Sequence, residues 1–353
     1  MKIVSVAQMR AIEKDADAGG LAYDQMMANA GRGLADVLLD FAEGEESFEA
    51  LGLVGPGNNG GDTLVALTQL AARGWGVHAY LVHRKKDVLV KALADAGGRV
   101  VAADDDKEFT ALRESLESAH ILLDGVLGTG IKLPLKEEIG NVLAEALYVL
   151  SDLDEAPMIV AVDCPSGVDC DTGEAADECI PADLTVTMAA VKQGLLKFPA
   201  FEYIGELKVI DIGLPEDLPA LQAIRLEAAE EDMVSALLPD RPADAHKGTF
   251  GTALIVAGSI NYTGASRLAG EAAYRSGAGL VTMAVPAPLH AALAGQIPEA
   301  TWLLLPHEVG VIARGGAEIL ARNIDRATAM LIGPGIGTEA TTKEFMQDLF
   351  MGS

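Results

Sequence analysis

Val54-Gly55-Pro56-Gly57-Asn58-Asn59-Gly60-Gly61-Asp62 follows a short apolar run, Leu51 to Val54, and precedes Leu64, Val65, Leu67, Leu70 and Ala71. The run reads as a buried strand and the later spacing as an amphipathic helix, so this stretch joins strand to helix. Four glycines in the seven residues from Gly55 to Gly61 leave the backbone bare. Bare N–H groups at the start of a helix can turn toward an anion. Asn58, Asn59 and Asp62 add side-chain oxygens beside them. A loop so costly in conformational entropy reads as a ligand loop. The plainer alternative is a tight connection with Asp62 as N-cap.

Strand and helix alternate outward from this loop. Ser5-Val6-Ala7-Gln8 has the form of a capping box, and a second helical pattern runs from about Asp24 to Phe41, its apolar side interrupted by Asn29 and Arg32. Beyond the loop a helix ends near Gly74, which suits the position just past a helix C-terminus. Strands are predicted at Val77 to Leu81, Arg99 to Ala103, His120 to Asp124, Met158 to Asp163, Leu184 to Met188 and Lys208 to Ile212. Asp87 to Ala96 and Ile139 to Leu150 are the clearest helices between them. Such alternation predicts a Rossmann-like, doubly wound α/β sandwich with a largely parallel sheet. Pro215 to Lys247 breaks the rhythm with four prolines and an acidic run, and reads as an interdomain connection. A second βαβ pattern starts at His246-Lys247-Gly248, with strands at Ala253 to Ala257, Leu280 to Val285 and Ala329 to Ile332.

The chain has 353 residues, half of them hydrophobic, and a formal net charge of -26. That charge argues against nucleic acid and against anionic membranes as partners. It leaves room for an anionic small molecule, because loop N–H groups supply a local positive potential. Cys164, Cys170 and Cys179 form no CxxC pair and no even-numbered disulfide framework, so a reducing cytoplasm is expected. The N-terminus lacks the apolar core of a signal peptide, and no apolar run is long and clean enough for a membrane helix.

Motifs collect at the expected carboxyl ends of three strands, where open α/β sheets bind ligands. The glycine loop is one. Asp124-Gly125-Val126-Leu127-Gly128-Thr129-Gly130 is the second, and Asp163-Cys164-Pro165-Ser166-Gly167-Val168-Asp169 the third. Asn59, Asp124 and Ser166 offer hard oxygens that can hold a cation; with one carboxylate the set suits a weakly charged ion. From spacing alone, a turn cap at Asp124 and a local backbone bond at Ser166 are preferred. Asp163 ends an apolar strand and faces the expected cleft, either as an acid/base group or as a hydrogen-bonded structural carboxylate. Lys192 reads as a solvated lysine. Gly55-x-Gly57-x-x-Gly60 also fits the dinucleotide fingerprint, a weak signal alone. The basic cluster His83-Arg84-Lys85-Lys86 could then read a ribose phosphate, so an NADP-binding oxidoreductase is a second reading.

Taken together, Gly55 to Asp62, Asp124 with Gly128-Thr129-Gly130, and Val162 to Gly167 resemble the YjeF N-terminal family of NAD(P)H-hydrate epimerases. His246-Lys247-Gly248 through Ala265, Arg275 through Val281 and Gly333-Pro334-Gly335-Ile336-Gly337 resemble the ADP- or ATP-dependent NAD(P)H-hydrate dehydratases. Their order matches the fused bifunctional NAD(P)H-hydrate repair enzymes. The resemblance implies an epimerase domain over residues 1–214, a linker over 215–244 and a partial ribokinase-like α/β domain over 245–353. It implies that Asn58, Asn59, Gly60, Gly61, Asp62, Gly128, Thr129, Gly130, Ile131, Lys132, Leu133 and Pro134 bind the hydrated nucleotide, NADHX or NADPHX. Asn59, Asp124 and Ser166 would hold a potassium ion, reversing the preference from spacing. Asp163 would contact the hydrated ring as the catalytic group, and Ala265, Gly335 and Gly337 would face substrate in the second half. ADP or ATP with magnesium is expected only for a complete dehydratase domain, and a homo-oligomer is the expected assembly. Thr63, Leu127 and Cys164 depart mildly from the epimerase pattern. No Gly-x-Gly-Asp occurs after Lys247, so the second half is expected to be truncated before its catalytic segment. A non-catalytic nucleotide-binding or scaffold protein on this fold is the remaining alternative.

Overall fold

The computed structural model describes residues 1–41 and 48–351. The chain divides into two compact units, Met1–Leu237 and Leu238–Ser353.

In the first unit the strands are β1 (Ile3–Val4), β2 (Glu49–Val54), β3 (Gly76–Leu81), β4 (Arg99–Ala102), β5 (Ile121–Gly125), β6 (Met158–Val162), β7 (Leu184–Met188), β8 (Val191–Lys192) and β9 (Glu206–Ile210). The helices are α1 (Val6–Ala18), α2 (Tyr23–Phe41), α3 (Asn58–Ala72), α4 (Val88–Asp95), α5 (Thr110–Ser118), α6 (Glu137–Asp152), α7 (Pro219–Gln222) and α8 (Glu231–Leu237). Seven strands form one parallel sheet in the order β4-β3-β2-β5-β6-β7-β9, and β1 pairs with β8 apart from it. Chain order runs one way from β2 to β4 and the other way from β5 to β9. The switch point therefore lies between β2 and β5, where the crevice of a doubly wound sheet opens. Parallel strands covered on both faces are buried along their length: every residue of β5 and β7 is buried, with Asp124, Thr185 and Thr187 the polar exceptions in otherwise apolar strands.

The two faces carry separate cores. One joins the sheet to α1 through α4, with Ile12, Leu34, Leu38, Leu64 and Leu67 buried. The other packs α5 and α6 against it through Leu112, Leu116, Leu143 and Ala146. Each buried leucine contributes about 1.5–3 kcal/mol. Gly31 lets α2 approach α3, since a Cβ there would stand 2.4 Å from the Val65 Cβ. The capping box on α1 forms as expected, with Gln8 N donating to Ser5 Oγ and Ser5 N to Gln8 Oε1.

Several expectations shift. The helix after the glycine loop begins at Asn58, with Gly57 as its N-cap, so half of the expected loop is helical and Asp62 lies inside the helix. The last strand starts two residues earlier than expected, at Glu206. Thr110–Ser118 is a helix that the sequence reading left unassigned. The stretch from Pro215, expected as a linker, belongs to the first unit up to Leu237, although α8 buries none of its residues. Leu218 and Ile224 are buried in its core, and Ile3 N donates to Leu226 O at 2.9 Å. From Pro215 to Ala228 the chain thus forms a strap on the first unit.

The second unit holds β10 (Thr252–Val256), α9 (Thr263–Arg275), β11 (Leu280–Pro286), α10 (His290–Leu293), β12 (Thr301–Leu305), β13 (His307–Glu308), β14 (Val311–Ile312), α11 (Gly316–Ala321), β15 (Ala329–Ile332) and α12 (Ala340–Met351). Its parallel sheet runs β12-β11-β10-β15, and β13 and β14 form a small antiparallel pair. Among the described residues no helix is long and apolar enough to cross a membrane.

Candidate active site

The loops after β2 and β5 meet at the switch point, and glycine makes the meeting possible. A Cβ on Gly55 would lie 1.8 Å from the Val126 carbonyl oxygen, and one on Gly60 would lie 2.1 Å from that of Gly55. Gly61 gives way to the Met27 sulfur in the same manner. Gly60 and Gly61 are thus required by close packing and do not line the cavity described below. The first-turn amides of α3 have no carbonyl partner inside the helix and carry the positive end of its dipole. Arg84 fixes the loop from the end of β3. Its Nη1 donates to Gly55 O at 2.9 Å and Gly57 O at 3.1 Å, while Asp87 takes Nε at 3.0 Å. With its side chain 8% exposed, Arg84 is committed to the loop and unavailable to read a ribose phosphate.

A cavity of about 390 Å³ opens over these loops, within the ~300–1,000 Å³ usual for small-molecule sites. α1 contributes Met9, Arg10 and Glu13. The glycine loop contributes Asn58, Asn59 and Asp62, the loop after β5 Gly128 to Ile131, and the far wall Asp163, Met188 and Lys192. The remaining loop residues assigned to substrate, Lys132, Leu133 and Pro134, lie outside the lining, and Lys132 and Pro134 are exposed.

Asp163 stands just past β6 with a left-handed backbone, φ 64. His83 after β3 and Ala189 after β7 share that conformation, with φ 54 and 61. Non-glycine residues held so are strained, and such strain collects at functional sites. Three donors converge on Asp163 Oδ1: Thr187 Oγ1 and Met188 N, each at 3.1 Å, and Lys192 Nζ in an ion pair. Among the described residues Oδ2 has no such partner. Lys192 is 1% exposed, and its ammonium also donates to Thr187 Oγ1 and Met188 O, both at 3.0 Å. The expectation of a solvated lysine is therefore overturned. A short turn from β7 into β8 brings it under the aspartate, and its three N–H groups are all used. Behind them Cys164 is buried against Cys170, and that hydrogen bond together with burial pushes the Cys164 thiol well up.

The expected cation ligands come together beneath the glycine loop. Asn59 Nδ2 donates to Leu127 O at 2.8 Å, Ser166 N to Asp124 Oδ2 at 2.7 Å, and Leu127 N to Ser166 Oγ at 2.8 Å. These bonds leave Asn59 Oδ1 and Asp124 Oδ1 buried without a partner among the described residues. Such orphaned acceptors cost about 1–3 kcal/mol each unless something positive meets them. Burial raises the Asp124 carboxyl, against the hydrogen bond from Ser166. Hard oxygens with a single carboxylate fit a monovalent cation. Among the described residues no group of three or more His, Cys, Asp or Glu is placed to hold a metal.

In the second unit the loops after β10 and β15 touch. Gly258 N donates to Pro334 O at 2.8 Å, and a Cβ on Gly335 would lie 2.7 Å from that of Ala265. Gly337 follows with φ 87. Ala265 and Gly335 are thus neighbours at one sheet end. Sequence reading missed Arg10, Glu13 and the buried role of Lys192. The available signal was slight: a lysine directly after Ala189-Ala190-Val191, and two charges beside Met9 on a capped helix.

Residues 23–194 match the YjeF-related protein N-terminus family, and residues 253–351 the NAD(P)H-hydrate dehydratase family. Proteins called bifunctional NAD(P)H-hydrate repair enzyme Nnr align along nearly the whole chain. The one from Moorella thermoacetica is 32% identical, covering 99% of this chain and 66% of its own length. Those from Pyrobaculum aerophilum and Archaeoglobus fulgidus are 33% and 35% identical, with 68% and 69% of their own lengths covered. The chain thus spans about two thirds of the length of these relatives. The crystal structure of the yeast protein ynu0 shares the fold, with a TM-score of 0.50 and 23% identity over 60% of this chain and 88% of its own. Both domain matches, in this order, and relatives at 32–35% identity aligned along 99% of the chain show that it belongs to the bifunctional NAD(P)H-hydrate repair enzyme family.

Proposed function

We propose that the first unit interconverts the R and S epimers of hydrated NADH or NADPH. The observation that best supports this is the Asp163–Lys192 arrangement. Among the described residues every protein donor to this carboxylate meets Oδ1, and Asp163 lines the cavity, so Oδ2 is the oxygen left to accept a proton. Hydration of a dihydronicotinamide ring puts the hydroxyl on the carbon beside the ring nitrogen, because the nitrogen lone pair stabilises positive charge there. Epimerising that carbon requires a bond to oxygen or nitrogen to break and reform, and a positioned proton carrier lowers that barrier, typically by a factor of about 10²–10⁴. The nucleotide diphosphate would meet the α3 N-terminus and Arg10, which bring the ring toward Asp163. Lys192 and Thr187 hold the carboxylate in place. Asn59, Asp124 and Ser166 are assigned to potassium, which would supply a fixed positive charge beneath the glycine loop. The second unit is assigned to the dehydratase half of the same repair, with Ala265, Gly335 and Gly337 as its candidate substrate contacts.

The test incubates the purified chain with R-enriched NADHX and follows S-NADHX by chromatography, in potassium and then in sodium buffer. Conversion above the spontaneous rate, faster in potassium and lost in Asp163→Asn with nucleotide binding retained, is expected. A folded protein that converts nothing refutes the assignment; equal rates in the two salts refute the potassium site.

A further inference from the structure

Three carboxyl groups line one cavity: Glu13 from α1, Asp62 from α3 and Asp163 from the end of β6. Only Asp163 is neutralised by a buried cation, and the three N–H groups of Lys192 are already used on Asp163, Thr187 and Met188. Asp62 is 8% exposed. Its side chain makes no hydrogen bond or ion pair among the described residues, so what solvent it meets comes through the cavity. Arg84, the cation at the end of β3, is spent on Asp87 and the loop carbonyls. Arg10 lies on α1 near Gly130 at the cavity mouth.

We propose that Asp62 is a second catalytic residue, the proton donor that works opposite Asp163. This rests on the epimerase reading of the cavity. The electrostatics agree with the geometry. Burial pushes the Asp62 carboxyl well up, and the charges of Asp163 and Glu13 push it further, against the weaker pull of Lys192 and Arg84. Glu13 is raised too, first by burial and then by Asp163, with Lys192 and Arg10 opposing. An ion-paired carboxylate beside a desolvated, unpaired carboxyl is how one site holds a base and an acid at the same pH.

The step balances with these two groups alone. The C–O bond at the hydroxyl-bearing carbon breaks with its electron pair going to oxygen. That oxygen takes the Asp62 proton and leaves as water, while the ring nitrogen lone pair closes a C=N bond. Water then adds to the opposite face of the same carbon, its oxygen forming the new C–O bond and its proton passing to Asp163 Oδ2. Asp62 ends as a carboxylate and Asp163 as the acid; the reverse reaction runs from this state, and proton exchange with water in the cavity restores both for the next forward turnover. Glu13 touches none of the reacting atoms in this scheme; its charge helps keep the proton on Asp62.

The experiment measures kcat and KM for R-NADHX across pH with the full chain, Asp62→Asn and Glu13→Gln. Asp62→Asn is expected to lower kcat at least about 100-fold with KM within a few-fold, in line with loss of a general acid. Wild-type kcat should fall on the alkaline side as Asp62 loses its proton, and that limb should be absent from the residual activity of Asp62→Asn. Glu13→Gln removes a negative neighbour and should move the limb to lower pH; it carries the test if Asp62→Asn does not fold. A kcat within about threefold of wild type in Asp62→Asn, or an alkaline limb that Glu13→Gln leaves in place, overturns the proposal. A wild-type chain without epimerase activity refutes the proposed function itself, whatever the variants do.

Discussion

Replacing Lys192 by methionine removes what is, among the described residues, the only buried cation lining the cavity, while keeping the length of its stem. Three hydrogen bonds go with it, to Asp163 Oδ1, Thr187 Oγ1 and Met188 O. Breaking a buried ion pair typically costs ~3–5 kcal/mol, because the partner charge is left uncompensated. The Asp163 side chain is 15% exposed beside a cavity, so water can relieve part of that cost. The two neutral bonds add ~0.5–1.5 kcal/mol each, and the apolar packing of methionine returns some of the loss. The net expectation is a loss of about 3 kcal/mol. Asp163→Asn combined with Lys192→Met removes both charges at once, and should cost at least about 1.5 kcal/mol less than the sum of the single changes. Urea unfolding followed by Trp75 fluorescence in a Trp302→Phe background reads the first unit alone. Single variants that each cost less than about 0.5 kcal/mol, or that add within about 0.5 kcal/mol, would refute the claim that this pair anchors the far wall of the site.

Three more outcomes are expected. Gly60→Ala should destabilise the first unit by about 1–3 kcal/mol in urea, because its Cβ meets the Gly55 oxygen at 2.1 Å, whereas Gly57→Ala meets nothing within 4 Å; equal midpoints for the two would sink that reading of the glycines. A fragment ending at Leu237 should fold and epimerise, while one ending at Leu214 loses the buried Leu218 and Ile224, ~1.5–3 kcal/mol each; a Leu214 fragment with an unchanged urea midpoint would contradict it. Asp62→Asn should gain stability over wild type as pH rises. The folded carboxyl of Asp62 is raised above the ordinary 3.8, so its stabilising contribution is full below that value and is lost as pH rises toward the folded value. Urea midpoints of the two proteins that differ by the same amount at pH 4 and pH 8 would count against it.

The doubly wound order and the three strand-end motifs were legible because they are local. A parallel strand buried on both faces must be apolar along its length, and glycine or aspartate at its carboxyl end stands out against that background. The start of α3 at Asn58 was not legible, since two glycines in a first helical turn look like loop. Their reason for being glycine is the backbone of Gly55, a contact that exists only once the loop is folded. Arg84 invited the opposite error. A basic residue after β3 resembles a phosphate reader, yet its guanidinium is consumed by the carbonyls of Gly55 and Gly57.

The ionic interior of the site was the least legible part. Glu13 and Lys192 are far apart in sequence, and nothing in α1 marks its inward charges except the strap from Pro215 to Ala228 and the short β1–β8 pair that pin the N-terminus down. Spacing likewise could not decide whether Asn59, Asp124 and Ser166 cap turns or hold an ion, because the bonds that orient them run between distant segments. One oxygen of Asp124 accepts the Ser166 amide, Ser166 Oγ accepts from Leu127 N and the amide nitrogen of Asn59 serves Leu127, so these bonds join three separate segments and are not the local caps that spacing preferred. Because those bonds occupy only one end of each side chain, the other ends, Asn59 Oδ1 and Asp124 Oδ1, remain buried and unmet. These bonds between loops are thus what aims two hard oxygens inward. A cation there would lower the Asp124 carboxyl that burial now raises, and would tie the loop after β5 to α3 beneath the glycine loop.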